Sequence, residues 1–286
     1  MIPYGRQSIS DADVQSVVDV LRSDWITQGP AITRFEQAVT GHVGAAHGVA
    51  VCNATAALHL ACLALGVGVG DRVWTSPNTF VASANCARYC GATVDFVDID
   101  ADTYNMSVTA LASRLESAAS RNILPKVVIP VHFAGQACDM AGISQLARQY
   151  GFKVVEDASH AIGADYGDGK VGNCAHSEIS VFSFHPVKII TTGEGGMLTT
   201  NSGELADTLR RLRSHGITRD IAAPSADQGA WYYQQVALGY NYRMTDLQAA
   251  LGASQMNRLD QFLARRRQLA ARYDSLLAPL PVKASV

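Results

Sequence analysis

Apolar positions along this chain recur in two alternating patterns. From Asp11 to Arg22, Val14, Val17, Val18 and Leu21 fall at helical spacing, with Ser10 and Asp13 in a capping-box arrangement ahead of them. Ile32, Phe35, Ala38 and Val39 repeat that spacing in a second amphipathic helix. Beyond it, short apolar runs alternate with helical patterns. Strands are predicted at 48–52, 72–75, 93–97, 127–131, 153–155, 179–182 and 197–199, and helices at 54–65, 79–89, 140–150 and 204–213. Strands separated by crossover-length helices imply an α/β fold with a mainly parallel sheet and flanking helices. The close spacing of the strands between Ile179 and Thr199 predicts one antiparallel excursion.

Two more helices are predicted near the end of the chain, at 245–254 and 258–276. The second carries Leu259, Phe262, Leu263, Leu269 and Tyr273 as its apolar positions and Arg265 to Arg267 as a solvated basic face. Residues 218–235, with Pro224, Asp227 and Gly229, read as a surface loop. Residues 1–250 are expected to form a large ligand-binding domain and 251–286 the start of a smaller, incomplete C-terminal one.

The stretch between Glu36 and Asp71 holds no Asp, Glu, Lys or Arg, which is long enough to cross a bilayer. His42, His47, Asn53, His59 and six glycines break it into strand and helix lengths, so a buried strand and helix are predicted instead. With 48% apolar residues, 17% charged and a net charge of −2, the chain reads as a soluble globular protein without a nucleic-acid track or a membrane surface. Met1 to Ser10 show no signal-peptide pattern, and the expected location is cytoplasmic. The six cysteines (52, 62, 86, 90, 138 and 174) form no CxxC pair and read as reduced thiols rather than a metal site.

Parallel sheets hold ligands beyond the carboxyl ends of their strands, so the residues just after each apolar run carry the information. After the first strand, Asn53-Ala54-Thr55-Ala56-Ala57-Leu58 begins a helix with small residues and a hydroxyl. That is a terminus suited to a phosphate, although Asn53 or Thr55 also suits a simple helix cap. After Lys153-Val154-Val155 come Glu156-Asp157-Ala158-Ser159-His160, an acid at a strand end with an imidazole three residues on. A third segment, Ser183-Phe184-His185-Pro186-Val187-Lys188, puts a lysine in an apolar stretch where desolvation lowers its pKa and arms it against a carbonyl. The following Gly193-Glu194-Gly195-Gly196 turn lacks dinucleotide or phosphate-loop spacing and is assigned close backbone packing. A phosphate terminus, an acid and a desolvated lysine are together what pyridoxal 5'-phosphate (PLP) chemistry requires.

At this point the chain resembles the DegT/StrS family of PLP-dependent sugar aminotransferases, of the fold-type I aspartate aminotransferase-like group, from Ile2 to about Leu276. The matching stretches are Trp25-Ile26-Thr27-Gln28-Gly29, Asn53 to Leu58, Glu156 to Ala161, Ser183 to Lys188, Arg213-Ser214-His215-Gly216 and Gly239 to Asp246. The resemblance implies that Lys188 carries the cofactor, Asp157 pairs with its pyridine nitrogen and His160 lies near its phenolic oxygen. It further implies that Thr55, Ala56 and Ser183 bind the phosphate. Phe80, which by itself reads as a core side chain, takes the position that stacks on the ring. Asn241 is similar to an asparagine that reaches the phosphate of a neighbouring subunit, so a homodimer with shared sites is implied.

Residues 183–196 and 213–219 look closest to the pseudaminic acid branch of that family. Its members move an amino group from L-glutamate to C4 of UDP-2-acetamido-2,6-dideoxy-β-L-arabino-hexos-4-ulose. The alternatives are a different nucleotide-linked 4-keto sugar and a non-catalytic sugar-sensing module. Related dehydrases carry histidine where Lys188 stands, and no GxGxxG follows any strand as a dehydrogenase would need. The loop from Thr218 to Gln235 and a helix start near Trp231 are candidates for the wall of the sugar site.

Overall fold

A computed structural model of the chain describes residues 5–167, 169–219, 229 and 231–282. Helices α1 (Asp11–Leu21) and α2 (Pro30–Val43) form where the amphipathic pattern predicts them. The Asp13 amide donates to Ser10 Oγ and the Ser10 amide donates to the Asp13 carboxylate, which completes the capping box. Asp13 is fully buried and also accepts from Ser254, Gln255 and Arg258, so the cap of the first helix anchors the C-terminal helices as well.

Then follow β1 (His47–Val51), α3 (Ala54–Ala64), β2 (Arg72–Thr75), α4 (Ala82–Tyr89), β3 (Thr93–Phe96), α5 (Val108–Ser120), β4 (Val127–Ile129), α6 (Met140–Tyr150) and β5 (Lys153–Asp157). A hairpin of β6 (Asp165–Tyr166) and β7 (Gly169–Lys170) leads to β8 (Ile179–Ser183) and β9 (Gly196–Thr200). Helix α7 (Gly203–Arg213), the pair β10 (Ile217–Thr218) and β11 (Gln234–Gln235), α8 (Asp246–Met256) and α9 (Leu259–Leu277) come last. Residues 220–228 and 230 of the expected surface loop lie outside the described residues.

Seven strands form one sheet in the order β1-β9-β8-β5-β4-β2-β3. β3, β2, β4, β5 and β8 pair in parallel, whereas β9 runs antiparallel to both β8 and β1. The antiparallel excursion expected between Ile179 and Thr199 is therefore β8–β9. Successive strand residues serve opposite faces, as the two-residue period demands. Val127, Ile129, Val155 and Val181 pack with α3, α4 and α7 residues on one side. On the other, Trp74, Val128 and Val154 pack with α5 and α6, while Phe182 and Met197 pack with α2 and α8. Phe35 and Phe184, both fully buried, meet edge to face at 4.9 Å. Side chains of this size stabilise the fold by about 1.5–3 kcal/mol each through burial.

The charge-free stretch folds as the end of α2, β1 and α3, and residues 56–62 of α3 are buried. No described helix is long and apolar enough to cross a membrane. Helix α5 and the β6–β7 hairpin arise where no element is predicted. In α9, Leu259, Phe262 and Leu263 pack on the body, whereas Leu269 and Tyr273 are exposed.

Candidate active site

The carboxyl ends of β1, β5 and β8 open on the same edge of the sheet. In register across it, Gly196 lies between Val51 of β1 and Ser183 of β8. A Cβ on Gly196 would come within 2.6 Å of the Asn53 carbonyl and 2.7 Å of the Ala54 nitrogen. The absence of a side chain there lets β9 lie against the first turn of α3. The glycine turn thus serves close packing, as its spacing predicts, and the packing brings the α3 terminus beside Ser183.

A cavity of about 550 Å³ opens at this edge, and Thr55, Phe80, Asp157, His160, Ser183 and Lys188 all line it. Six residues drawn from four separate segments of sequence therefore converge on one space. Lys188 follows β8 in the turn closed by its own amide on the His185 carbonyl, 2.9 Å away. Burial pushes its ammonium below the ordinary lysine value, and the Asp157 charge restores part of the shift. His160 is likewise pushed down, by burial first and then by the Lys188 charge, against the opposing pull of Asp157. Its Nδ1 is buried without a hydrogen-bond partner. A neutral imidazole with one unsatisfied nitrogen beside a cavity is poised to meet a polar atom of a ligand.

At the α3 terminus, Asn53 is the cap: its Oδ1 accepts the Ala56 amide at 2.8 Å. The cap reading and the phosphate reading are compatible, because the cap engages only one of the free amides of the first turn. Asn53, Ala54 and Thr55 line the cavity, which places the positive end of the helix dipole beside it. Ala56 does not line it; its side is buried and its amide is occupied by Asn53. Phe80 is no core residue: its side chain is 72% exposed, at the end of the loop before α4. Asn241 is exposed and bridges Ser214, outside the cavity of its own chain. No helix starts at Trp231 among the described residues: the chain turns there and enters β11, and Trp231 is 72% exposed, edge to face with Tyr232 and outside that cavity.

The structure adds residues that the strand-end argument did not single out. Ser83 Oγ donates to Asp157 Oδ2 at 2.6 Å, and Thr79 Oγ1 lies 2.7 Å from Ser83 Oγ. Behind Asp157, Glu156 is buried and accepts from His132 Nε2 (2.8 Å), Ser180 (2.9 Å) and Ser177. Burial opposes charge on Glu156, yet these donors hold its carboxyl below the usual range. The Cys138 amide donates to His132 Nδ1 at 3.0 Å, which fixes the tautomer with hydrogen on Nε2. The His132 amide in turn donates to the Asp157 carbonyl at 3.1 Å. A second, more open cavity of about 780 Å³ shares Phe133, His160, Val187 and Lys188 with the first and is lined by Arg266 and Arg267. On its wall the Phe133–Gly135 turn bears on His160. Gly135, at φ 93°, would otherwise bring a Cβ to 2.9 Å from the His160 carbonyl.

Residues 7–286 match the DegT/DnrJ/EryC1/StrS aminotransferase family. The spore coat polysaccharide biosynthesis protein SpsC of Bacillus subtilis is 42% identical over 98% of this chain and 70% of its own length. Helicobacter pylori PseC, an aminotransferase of pseudaminic acid biosynthesis, superposes with a TM-score of 0.89 at 30% identity, over 98% of this chain and 71% of its own. Spr1654 of Streptococcus pneumoniae, solved in PMP and PLP forms, reaches 0.86 in the first at 33% identity, over 97% of this chain and 73% of its own. This chain belongs to the DegT/DnrJ/EryC1/StrS family and is a sugar aminotransferase that works with PLP.

Proposed function

We propose that this protein moves the amino group of L-glutamate to C4 of a UDP-linked 4-keto-6-deoxy N-acetylhexosamine. The observation that carries the reading is the convergence of Lys188, Asp157, His160 and the α3 terminus on one cavity. Those residues fit PLP: an unpartnered His160 nitrogen, a helix N-terminus whose first residues line the cavity, an exposed aromatic side chain on Phe80 and a desolvated amine. The similarity to PseC, a pseudaminic acid pathway aminotransferase, supports the choice of sugar.

When bound, PLP supplies an electron sink for the carbon that loses its proton. Lys188 Nζ would hold the cofactor and, once released, would take the α-proton of glutamate and pass it on. The lowered pKa keeps a larger share of that amine neutral and able to accept it. Asp157 would pair with the pyridine nitrogen and hold its proton there, and His160 would orient the ring through its phenolic oxygen. Thr55 and Ser183 would hold the phosphate together with the start of α3, and Phe80 would stack on the ring and exclude water. The second half of the reaction returns a proton from Lys188 Nζ to the sugar carbon. Arg266 and Arg267, on the adjoining cavity, supply positive charge suited to an anionic substrate.

Sugar choice belongs to the surrounding pocket rather than to Lys188 and Asp157. Glutamate-dependent amination of the UDP-β-L-arabino-4-ulose is expected, with much weaker use of the D-xylo epimer, when kcat/KM is measured for both. A second reading, another nucleotide-linked keto sugar, is favoured by the higher identity to SpsC. A preference for the D-xylo sugar or for a dTDP-linked one selects it and removes the pseudaminic acid assignment.

The exposure of Asn241, outside its own cavity, supports a homodimer in which it serves the partner's site. Lys188→Ala and Asn241→Ala proteins, each nearly inactive, are then expected to complement on mixing. After random exchange half the dimers carry one intact site, so activity recovers to about a quarter of wild type. If exchange is proven and no activity returns, Asn241 serves its own subunit.

A further inference from the structure

We infer that Ser83, held by Thr79, is a positioning residue that fixes the Asp157 carboxylate against the pyridine nitrogen of PLP. The inference rests on the reading of Asp157 given above and assigns a role to a helix that supplies no direct ligand.

Ser83 lies in the first turn of α4 and is fully buried. Its hydroxyl has a single hydrogen, and that hydrogen is donated to Asp157 Oδ2 at 2.6 Å. A carboxylate can only accept, so the direction of this bond is not in doubt. Thr79 Oγ1, at 2.7 Å, must then be the donor to Ser83 Oγ. The order Thr79 to Ser83 to Asp157 runs one way, from the cavity wall inward to the acid, since Thr79 itself lines the cavity. On the other side, Asp157 Oδ1 accepts the Ser159 amide at 3.2 Å. Each carboxylate oxygen thus has one donor from the protein, and Asp157, only 5% exposed, has its remaining accessible edge toward the cavity it lines. The two donors clamp the carboxyl group from both sides and leave that edge for the ring nitrogen.

The Oδ1 bond is the longer one and comes from the next turn of the same chain segment, so it cannot fix the carboxyl plane alone. Ser83 comes from a different helix, 74 residues away in sequence. The loop before that helix carries Phe80, so one short segment both presents the stacking ring and aims the acid at the ring's nitrogen.

The test is cofactor titration of the whole protein, with the pH midpoint of its visible absorbance as a second readout. Ser83→Ala is expected to weaken PLP affinity by about tenfold, the loss typical of one hydrogen bond to a charged group. It should also move the absorbance midpoint in the direction that Asp157→Asn moves it. Ser83→Thr, which keeps the hydroxyl, should retain the wild-type midpoint, and Thr79→Val should give a smaller shift than Ser83→Ala. The thermal midpoint of the cofactor-free protein separates folding loss from misaimed carboxylate. If Ser83→Ala lowers only that thermal midpoint, or keeps wild-type affinity and absorbance while Asp157→Asn alters both, Ser83 has no positioning role. If Asp157→Asn itself changes neither, the reading of Asp157 fails first and takes this one with it.

Discussion

Lys188→Ala should cut glutamate-dependent amination by about 10²–10⁴-fold, the range typical of a positioned proton-transfer group. The fold should survive, because Lys188 follows β8 in a turn whose backbone bond does not involve its side chain. Far-UV dichroism and the thermal midpoint of the cofactor-free variant check this. Covalent attachment tests the same residue more directly: borohydride reduction of the loaded wild-type protein should leave the cofactor on the peptide containing Lys188. The lowered pKa predicts a pH trend with a definite sign. A depressed ammonium pKa means the reactive neutral amine appears at lower pH than on an exposed lysine. Capture of PLP at neutral pH is therefore faster at Lys188 than at Lys153 or Lys170, which pair with Glu178 and Asp165 near the surface. It slows as pH falls through the folded value. A label on Lys153 or Lys170 removes Lys188 from the centre of the mechanism.

The site was legible to the extent that it depends on strand ends. In a parallel sheet every strand delivers its last residues to one edge, so Asp157, Ser183 and the α3 start could be placed together without coordinates. Strand positions were equally readable, since buried strands such as Ile179–Ser183 are short segments whose Ile, Val and Phe residues favour extended backbone. Helix α5 is not legible in the sequence, although Ser107 caps it and Leu111, Leu115 and Ala118 bury one stripe. Alanine and serine fill most of its other positions, and the stripe is too narrow to stand out. The start predicted at Thr79 was three residues early for a physical reason. Thr79 stays outside the helix, where its hydroxyl reaches Ser83.

What escaped altogether were contacts between segments distant in sequence. Nothing near Ser83 announces that it meets Asp157, and His132 lies 24 residues from Glu156 with no motif linking them. Ala56 shows the reverse limit. The run from Asn53 to Leu58 pointed to a phosphate terminus, but only geometry reveals that the Asn53 side chain takes the Ala56 amide and leaves Ala54 and Thr55 to the cavity. Arg266 and Arg267 read as a solvated face, and they are exposed, yet they also border the cavity that Lys188 shares.

Asp157→Asn is the substitution that best separates charge from shape. The amide is nearly isosteric with the carboxylate, so the buried site at the end of β5 stays filled. Its single oxygen can keep only one of the two flanking donors, the Ser159 amide at Oδ1 or the Ser83 hydroxyl at Oδ2. The other donor then faces the amide NH₂, or the NH₂ turns toward the cavity and meets the protonated ring nitrogen with a donor of its own. In either arrangement the negative charge that holds the nitrogen's proton is gone. Removing one such partner from a water-poor site typically costs about 10²–10³ in rate. The loss should fall on kcat, with the KM for glutamate little changed, because the missing interaction matters most when charge develops on the ring. Borohydride should still fix the cofactor on Lys188 in this variant, in contrast to Lys188→Ala, since attachment needs the amine and not the acid. Turnover close to wild type in a folded, fully loaded Asp157→Asn protein would show that the proton on the ring nitrogen is held by some other group.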